Sequence, residues 1–208
     1  MNRAKKKSLR EGFENLNPGS HVCSIYSNSK EQLSQVESFV VAGLARNEKI
    51  LYIYDERTKE EIIEKFKSSK IEIENHIESG QFEFLSREDT YLKDGYFNPE
   101  RIFKLISKSE KKALSEGYEG LKATGEMTWI FRNNPDFKKL MKYESELNEF
   151  LEGSNATILC QYDENKFSSE NLIDIIYTHP KVAISDFMQN YVLVVLLVLS
   201  AGGGAAAG

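Results

Sequence analysis

Six short apolar runs alternate with helix-patterned segments along this chain, and that alternation restricts the fold more than any other feature. The runs are HVCSIY from His21, KILYIYD from Lys49, QFEFLS from Gln81, YEGLKATGEMTW from Tyr118, ATILCQYD from Ala156 and KVAISDF from Lys181. Most are apolar on both sides, the pattern of parallel strands covered on both faces. The segments between them supply the crossover helices. The pattern predicts an α/β fold: three layers, with a mostly parallel central sheet and helices on both faces. In such a sheet, functional groups gather at the carboxyl ends of the strands.

The helices carry local signals of their own. Leu33, Val36, Phe39, Val40, Gly43 and Leu44 form one stripe of the first long helix, with Ser27 or Ser29 placed to cap it. Thr58 caps the next helix. Asn98–Pro99 opens another, and Asn134–Pro135 repeats that opening ahead of a helix that Gly153 stops. A last helix runs from Ser168 to His179. At 208 residues the chain is long enough for one sizeable domain. Its boundaries read as a flexible basic N-terminus over 1–17, a domain over 18–191, and an apolar, Gly/Ala-rich tail over 192–208. The apolar run Val192–Leu199 falls well short of the roughly twenty residues of a membrane span. The Gly/Ala end reads as a linker or an artefact.

A net charge of -5 gives no reason to expect direct nucleic-acid contact, and the early basic residues (Arg3, Lys5, Lys6, Lys7, Arg10) read as a solvated terminus. Cys23 and Cys160 both sit inside apolar runs, no disulfide spacing is visible, and the N-terminus lacks a signal-peptide core. A cytoplasmic protein without membrane contact is expected.

Three places carry chemistry. The turn after the first run, YSNSKEQ, offers Lys30 but has no glycine between Gly19 and Gly43. A phosphate loop needs those glycines so that backbone N–H groups can curl around the anion. The helix N-terminus can still hold a carboxylate or phosphate. Next, strand periodicity puts His21, Cys23 and Ile25 on one face. Imidazole and thiolate are metal ligands, with Cys160 and His179 as further candidates. Cys23 and Cys160 also read as small core residues. Finally, Glu144 falls in the middle of the stripe Phe137, Leu140, Met141, Leu147, Leu151, with Asn148 one turn on. A carboxylate there needs a partner such as Lys122, Arg132, His21 or a Tyr hydroxyl. It either anchors a ligand pocket or pins the helix to the sheet. Tyr26, Asp55, Glu56, Glu126, Trp129, Tyr162 and Asp163 end strands at the same predicted edge. They do not assemble into a nucleophile with a base and an oxyanion site, so no catalytic residue is assigned.

Four segments together resemble the MEDS domain, the methanogen/methylotroph DcmR-type sensory domain. They are GSHVCSIYSNSKEQLSQVESFVVAGLARNEKILYIYDE, GYEGLKATGEMTW, YESELNEF and ATILCQYDENKFSSENLIDIIYTHPKV, and the likeness runs from Pro18 to Tyr191. The matching positions are His21, Cys23, Tyr26, Gly43, Glu126, Trp129, Tyr143, Glu144, Cys160, Tyr162, Asp163, His179 and Pro180. Lys122 stands where the family often has Arg, the closing segment is only partly matched by QNYV, and the tail after Tyr191 is foreign to it. The resemblance implies a relative of the RecA/KaiC-type ATPase fold with a degenerate phosphate loop. It also implies the sensing of small molecules, including hydrocarbon derivatives, ahead of a PAS/histidine-kinase or DNA-binding output module.

The resulting expectation is a non-catalytic sensory domain in which His21, Cys23, Tyr26, Glu126, Trp129, Tyr143, Glu144 and Tyr162 bind a small organic ligand. No cofactor is expected. The signal would pass to the output module or to a second copy in a homodimer. Two alternatives stay open: a nucleotide-binding or weak ATPase domain, and a metal or redox sensor built on His21 and Cys23.

Overall fold

The computed structural model describes residues 7–132, 136–184 and 187–190. Its strands are β1 (Lys7–Ser8), β2 (His21–Tyr26), β3 (Lys49–Tyr54), β4 (Phe82–Ser86), β5 (Leu121–Glu126), β6 (Ala156–Asp163), β7 (Lys181–Ile184) and β8 (Phe187–Asn190). Its α-helices are α1 (Leu9–Glu14), α2 (Ser29–Ala45), α3 (Lys59–Ser68), α4 (Ile73–Glu78), α5 (Pro99–Ser115), α6 (Phe137–Phe150) and α7 (Ser169–Thr178). One sheet holds the strands in the order β1-β8-β7-β2-β6-β5-β3-β4. The six strands from β2 to β7 pair in parallel, and β8 pairs antiparallel with β7 and β1.

The expected three-layer α/β architecture is present. Helices α1–α4 bury Phe13, Val36, Phe39, Ile62, Phe66 and Ile73 on one face of the sheet. Helices α5–α7 bury Ile102, Ile106, Leu140, Tyr143, Leu147 and Ile175 on the other. Alternation along each strand assigns side chains to these layers. His21, Cys23 and Ile25 face α5–α7, and Val22, Ser24 and Tyr26 face the other way.

Several local expectations change. Within the stretch expected to be a flexible terminus, Lys7–Ser8 form a strand, and Leu9, Phe13 and Leu16 are buried in the α1–α4 layer. Their four- and three-residue spacing is a helix-like stripe hidden among charged residues of both signs. Ser8 caps this helix by accepting from Glu11 N. Asn28, rather than Ser27 or Ser29, caps α2, because its short side chain reaches Glu31 N at 3.1 Å. Asp136 caps α6; the Asn134–Pro135 opening lies outside the described residues. The fourth run ends as a strand at Glu126 and continues as a 3-10 turn, Met127–Phe131. The last run is two strands, since Ile184 pairs back onto Phe187. The apolar and Gly/Ala tail also lies outside the described residues.

Where β5 begins, the backbone comes close to the β6 approach. A Cβ on Gly120 would stand 2.4 Å from the Asn155 carbonyl oxygen. Both chains are held there by sheet hydrogen bonds, including Leu121 N to Asn155 O at 3.0 Å. Gly120→Ala is therefore expected to destabilise the fold by about 1–3 kcal/mol. Urea unfolding measures this, and a loss below about 0.5 kcal/mol would mean that the strands separate at no cost.

Candidate functional site

Four chemically active side chains meet under α6 and α7. His21 opens β2, Cys160 lies within β6, Glu144 sits midway along α6, and His179 follows α7. The strand register sets Cys23 beside Cys160, so β2 and β6 present a thiol-lined strip of sheet. The stripe of α6 lays Glu144 on that strip. His21, Glu144, Cys160 and His179 are all buried, and one ligating atom from each lies within 4.8 Å of the others.

Glu144 is the hub. Its Oε1 accepts from the Tyr162 hydroxyl at 2.6 Å. Its Oε2 lies 3.2 Å from His21 Nε2, 3.4 Å from His179 Nε2 and 3.7 Å from Cys160 Sγ. The two imidazole rings lie tilted at 45° with centroids 4.1 Å apart. Asn148 completes the cluster: it faces His21 Nδ1 at 3.0 Å and donates to the Thr178 carbonyl at 2.8 Å. Burial alone would raise the Glu144 carboxyl, but its contacts with the two imidazoles outweigh it and hold the group below the usual carboxylate range. For His21 the balance goes the other way. Burial and the neighbouring His179 lower it, against the pull of Glu144 and Asn148. Burial pushes both thiols up, so neither Cys23 nor Cys160 is a free thiolate.

Of the partners expected for Glu144, His21 and a Tyr hydroxyl are the ones found. Lys122 lies on the opposite face, 3.8 Å from Glu48. Arg132 reaches Asp55 at 3.3 Å and Glu56 at 3.4 Å. Beside the cluster stands an aromatic wall. Trp129 stacks on Tyr91 at 4.9 Å and tilts against Phe97 at 4.5 Å, while Tyr143 meets Phe97 edge-on at 5.3 Å. The Trp129 indole N–H is buried and makes no hydrogen bond. Tyr91 and Phe97 belong to the loop after β4, where no periodicity marks a residue as pocket-lining, and the sequence reading missed them.

The eight expected ligand-binding residues are thus divided by the sheet. His21, Cys23, Trp129, Tyr143, Glu144 and Tyr162 share the α5–α7 side. Tyr26 and Glu126 lie on the α1–α4 side. There Glu126 accepts from the backbone N–H groups of Asp55, Glu56 and Arg57 at 3.2, 2.7 and 3.3 Å, and from the Tyr52 hydroxyl at 3.3 Å. The histidine cluster also lies below the carboxyl edge, since His21 is the first residue of its strand. The edge rule concerns loops after strands, whereas this cluster is made where a helix face meets the sheet.

On the α1–α4 side, the turn after β2 is filled by the chain itself. The Glu31 carboxylate accepts from Ser27 N at 2.8 Å and Ser27 Oγ at 2.6 Å, just ahead of the Asn28 cap of α2. Next to it, Gln32 donates to Gln161 at 2.9 Å and Gln161 donates to Thr124 at 2.8 Å, forming a satisfied buried network. A phosphate at this turn would meet the Glu31 carboxylate, and the turn lacks the glycines of a phosphate loop.

No helix among the described residues is long and apolar enough to cross a membrane. The chain matches the family model described as "MEDS: MEthanogen/methylotroph, DcmR Sensory domain" over residues 20–180. It is also similar to the transcriptional repressor DcmR of Methylorubrum extorquens (strain DSM 6343 / CIP 106787 / DM4), at 25% identity over 162 residues. That alignment covers 76% of this chain and 57% of the repressor, so the chain spans less than two thirds of that relative's length. The family match contains every residue of the buried cluster, from His21 to His179. The chain belongs to the MEDS family of sensory domains.

Proposed function

We propose that this chain is the sensory part of a cytoplasmic regulatory protein, that it binds a small organic ligand between the sheet and α5–α7, and that it passes the signal to an output module. The observation that carries this reading is a buried polar cluster set against an aromatic wall. Glu144, Tyr162 and His21 offer polar contacts, while Trp129, Tyr143, Tyr91 and Phe97 offer an apolar surface. The Trp129 indole N–H is a buried donor without a partner, and a ligand acceptor would satisfy it. Pockets for small organic molecules combine these two linings. Catalysis fits less well, because both thiols are buried and held protonated.

The name of the relative, a transcriptional repressor, favours a DNA-binding output module over a PAS/histidine-kinase one. In this reading the ligand favours one of two arrangements of α6 and α7, and the output module or a second copy of the domain responds to it. Native mass spectrometry of freshly purified protein is the test, followed by a thermal-shift screen of small organic compounds. A co-purifying organic mass, or a compound that raises Tm in the wild type but not in Trp129→Phe, is expected. A clean apo mass together with no stabilising compound would overturn the reading.

A further inference from the structure

The hydrogen-bond directions around His21 and His179 determine which ring nitrogens carry protons. The Asn148 amide nitrogen lies 2.8 Å from the Thr178 carbonyl and 3.3 Å from the Glu144 carbonyl, so both of its N–H groups are committed to acceptors. The oxygen of that amide therefore faces His21 Nδ1 at 3.0 Å, and His21 Nδ1 must be the donor. His179 Nδ1 lies 2.7 Å from the Ile175 carbonyl, which can only accept. Both imidazoles thus have Nδ1–H engaged, and in their neutral forms both turn an Nε2 lone pair toward Glu144 Oε2. His179 Nε2 is buried and makes no hydrogen bond. Two lone pairs and a carboxylate oxygen this close repel unless a positive charge lies among them.

Four of the six ligand–ligand separations match a metal ion, and all six lie within 4.8 Å. Ligands bound tetrahedrally at zinc bond lengths stand ~3.3–3.8 Å apart. His21 Nε2 and Glu144 Oε2 are 3.2 Å apart, His179 Nε2 and Glu144 Oε2 3.4 Å, Cys160 Sγ and His21 Nε2 3.6 Å, and Cys160 Sγ and Glu144 Oε2 3.7 Å. The surroundings also match. Metal-bound histidines donate their other N–H to an oxygen, as both do here. Tyr162 occupies Glu144 Oε1, leaving Oε2 as the single carboxylate ligand. With Cys160 as thiolate and Glu144 ionised, a divalent ion brings the buried site to zero net charge.

We propose that His21 Nε2, His179 Nε2, Cys160 Sγ and Glu144 Oε2 form a tetrahedral site for a borderline divalent transition cation, with zinc as the reference case. Binding replaces the Cys160 S–H bond with an S–metal bond and releases that proton to solvent. Cys23, its neighbour across the strands, is not a ligand. The site does not depend on the organic-ligand reading, and either can fail without the other.

The test uses the full chain, made without a histidine tag and purified without chelator. Elemental analysis is expected to find stoichiometric metal. After chelator stripping, titration with Co(II) should give the visible bands of a tetrahedral complex and a thiolate-to-cobalt charge-transfer band. Cys160→Ser should lose the charge-transfer band, and Cys23→Ala should keep it. Tyr162→Phe should weaken the affinity by about ten- to hundredfold. If a variant fails to fold by circular dichroism, X-ray absorption on the wild type decides the ligand set: one sulfur with three nitrogen or oxygen neighbours is expected. Metal-free protein that gives no tetrahedral cobalt spectrum, or a shell with no sulfur or two, would overturn the assignment.

Discussion

Glu144→Ala is expected to destabilise the domain by about 3–5 kcal/mol, because it removes the carboxylate on which the whole buried cluster converges. The Tyr162 hydroxyl loses its partner, and both Nε2 atoms and the Cys160 thiol are left around a void. In a domain of this size that corresponds to a fall in Tm of roughly 6–20 °C. Glu144→Gln should cost less than about half as much, since hydrogen bonds to neutral partners are weaker but remain available. Its carbonyl can still accept from Tyr162, and its amide can donate to the two lone pairs. The acid limb of the stability curve should change as well. A carboxyl held below its usual 4.5 in the folded state adds stability above that pH and loses it as the pH falls further. In Glu144→Ala that loss below about pH 4.5 should be shallower. Thermal and urea unfolding across pH measure both effects. An alanine variant within about 1 kcal/mol of wild type would mean the cluster is not held by its carboxylate.

Glu126→Gln is expected to act in the opposite pH direction. Burial pushes the Glu126 carboxyl up to about 7, against the three backbone N–H groups that favour its charged form. The folded protein therefore binds a proton more tightly than the unfolded chain between 4.5 and about 7. Its contribution is complete below that window and is lost as the pH rises through it. The wild type should lose on the order of 3 kcal/mol from this group between about pH 5 and pH 8. The glutamine keeps an oxygen for Asp55, Glu56 and Arg57 N–H and carries no charge to bury. Relative to wild type it should gain that same amount over the same interval. Parallel stability profiles for the two proteins would show that Glu126 does not titrate there.

Legibility in the sequence followed the range of the interaction. The central parallel strands, the Thr58 cap and the Asn98–Pro99 opening are local features, and all are present. Helix α1 escaped because Leu9, Phe13 and the following Leu16 stand among charges, and only packing against α2 and β8 makes them a core. Glu144 stood out on an apolar stripe, and alternation put His21 with Cys23, because both patterns act within one element. Which elements then face each other is set by strand register and crossover side, which no single segment contains. For that reason Tyr26 and Glu126, expected with the others, lie across the sheet from Glu144.

From its own pattern, then, the chain determined its parallel strands, its layered class and the positions of its buried polar residues, because periodicity and capping are fixed by near neighbours. The tertiary structure alone decided that His21, Glu144, Cys160 and His179 meet. Those residues are brought together from β2, α6, β6 and the end of α7, and only the closed core makes their partners, protons and charges depend on one another.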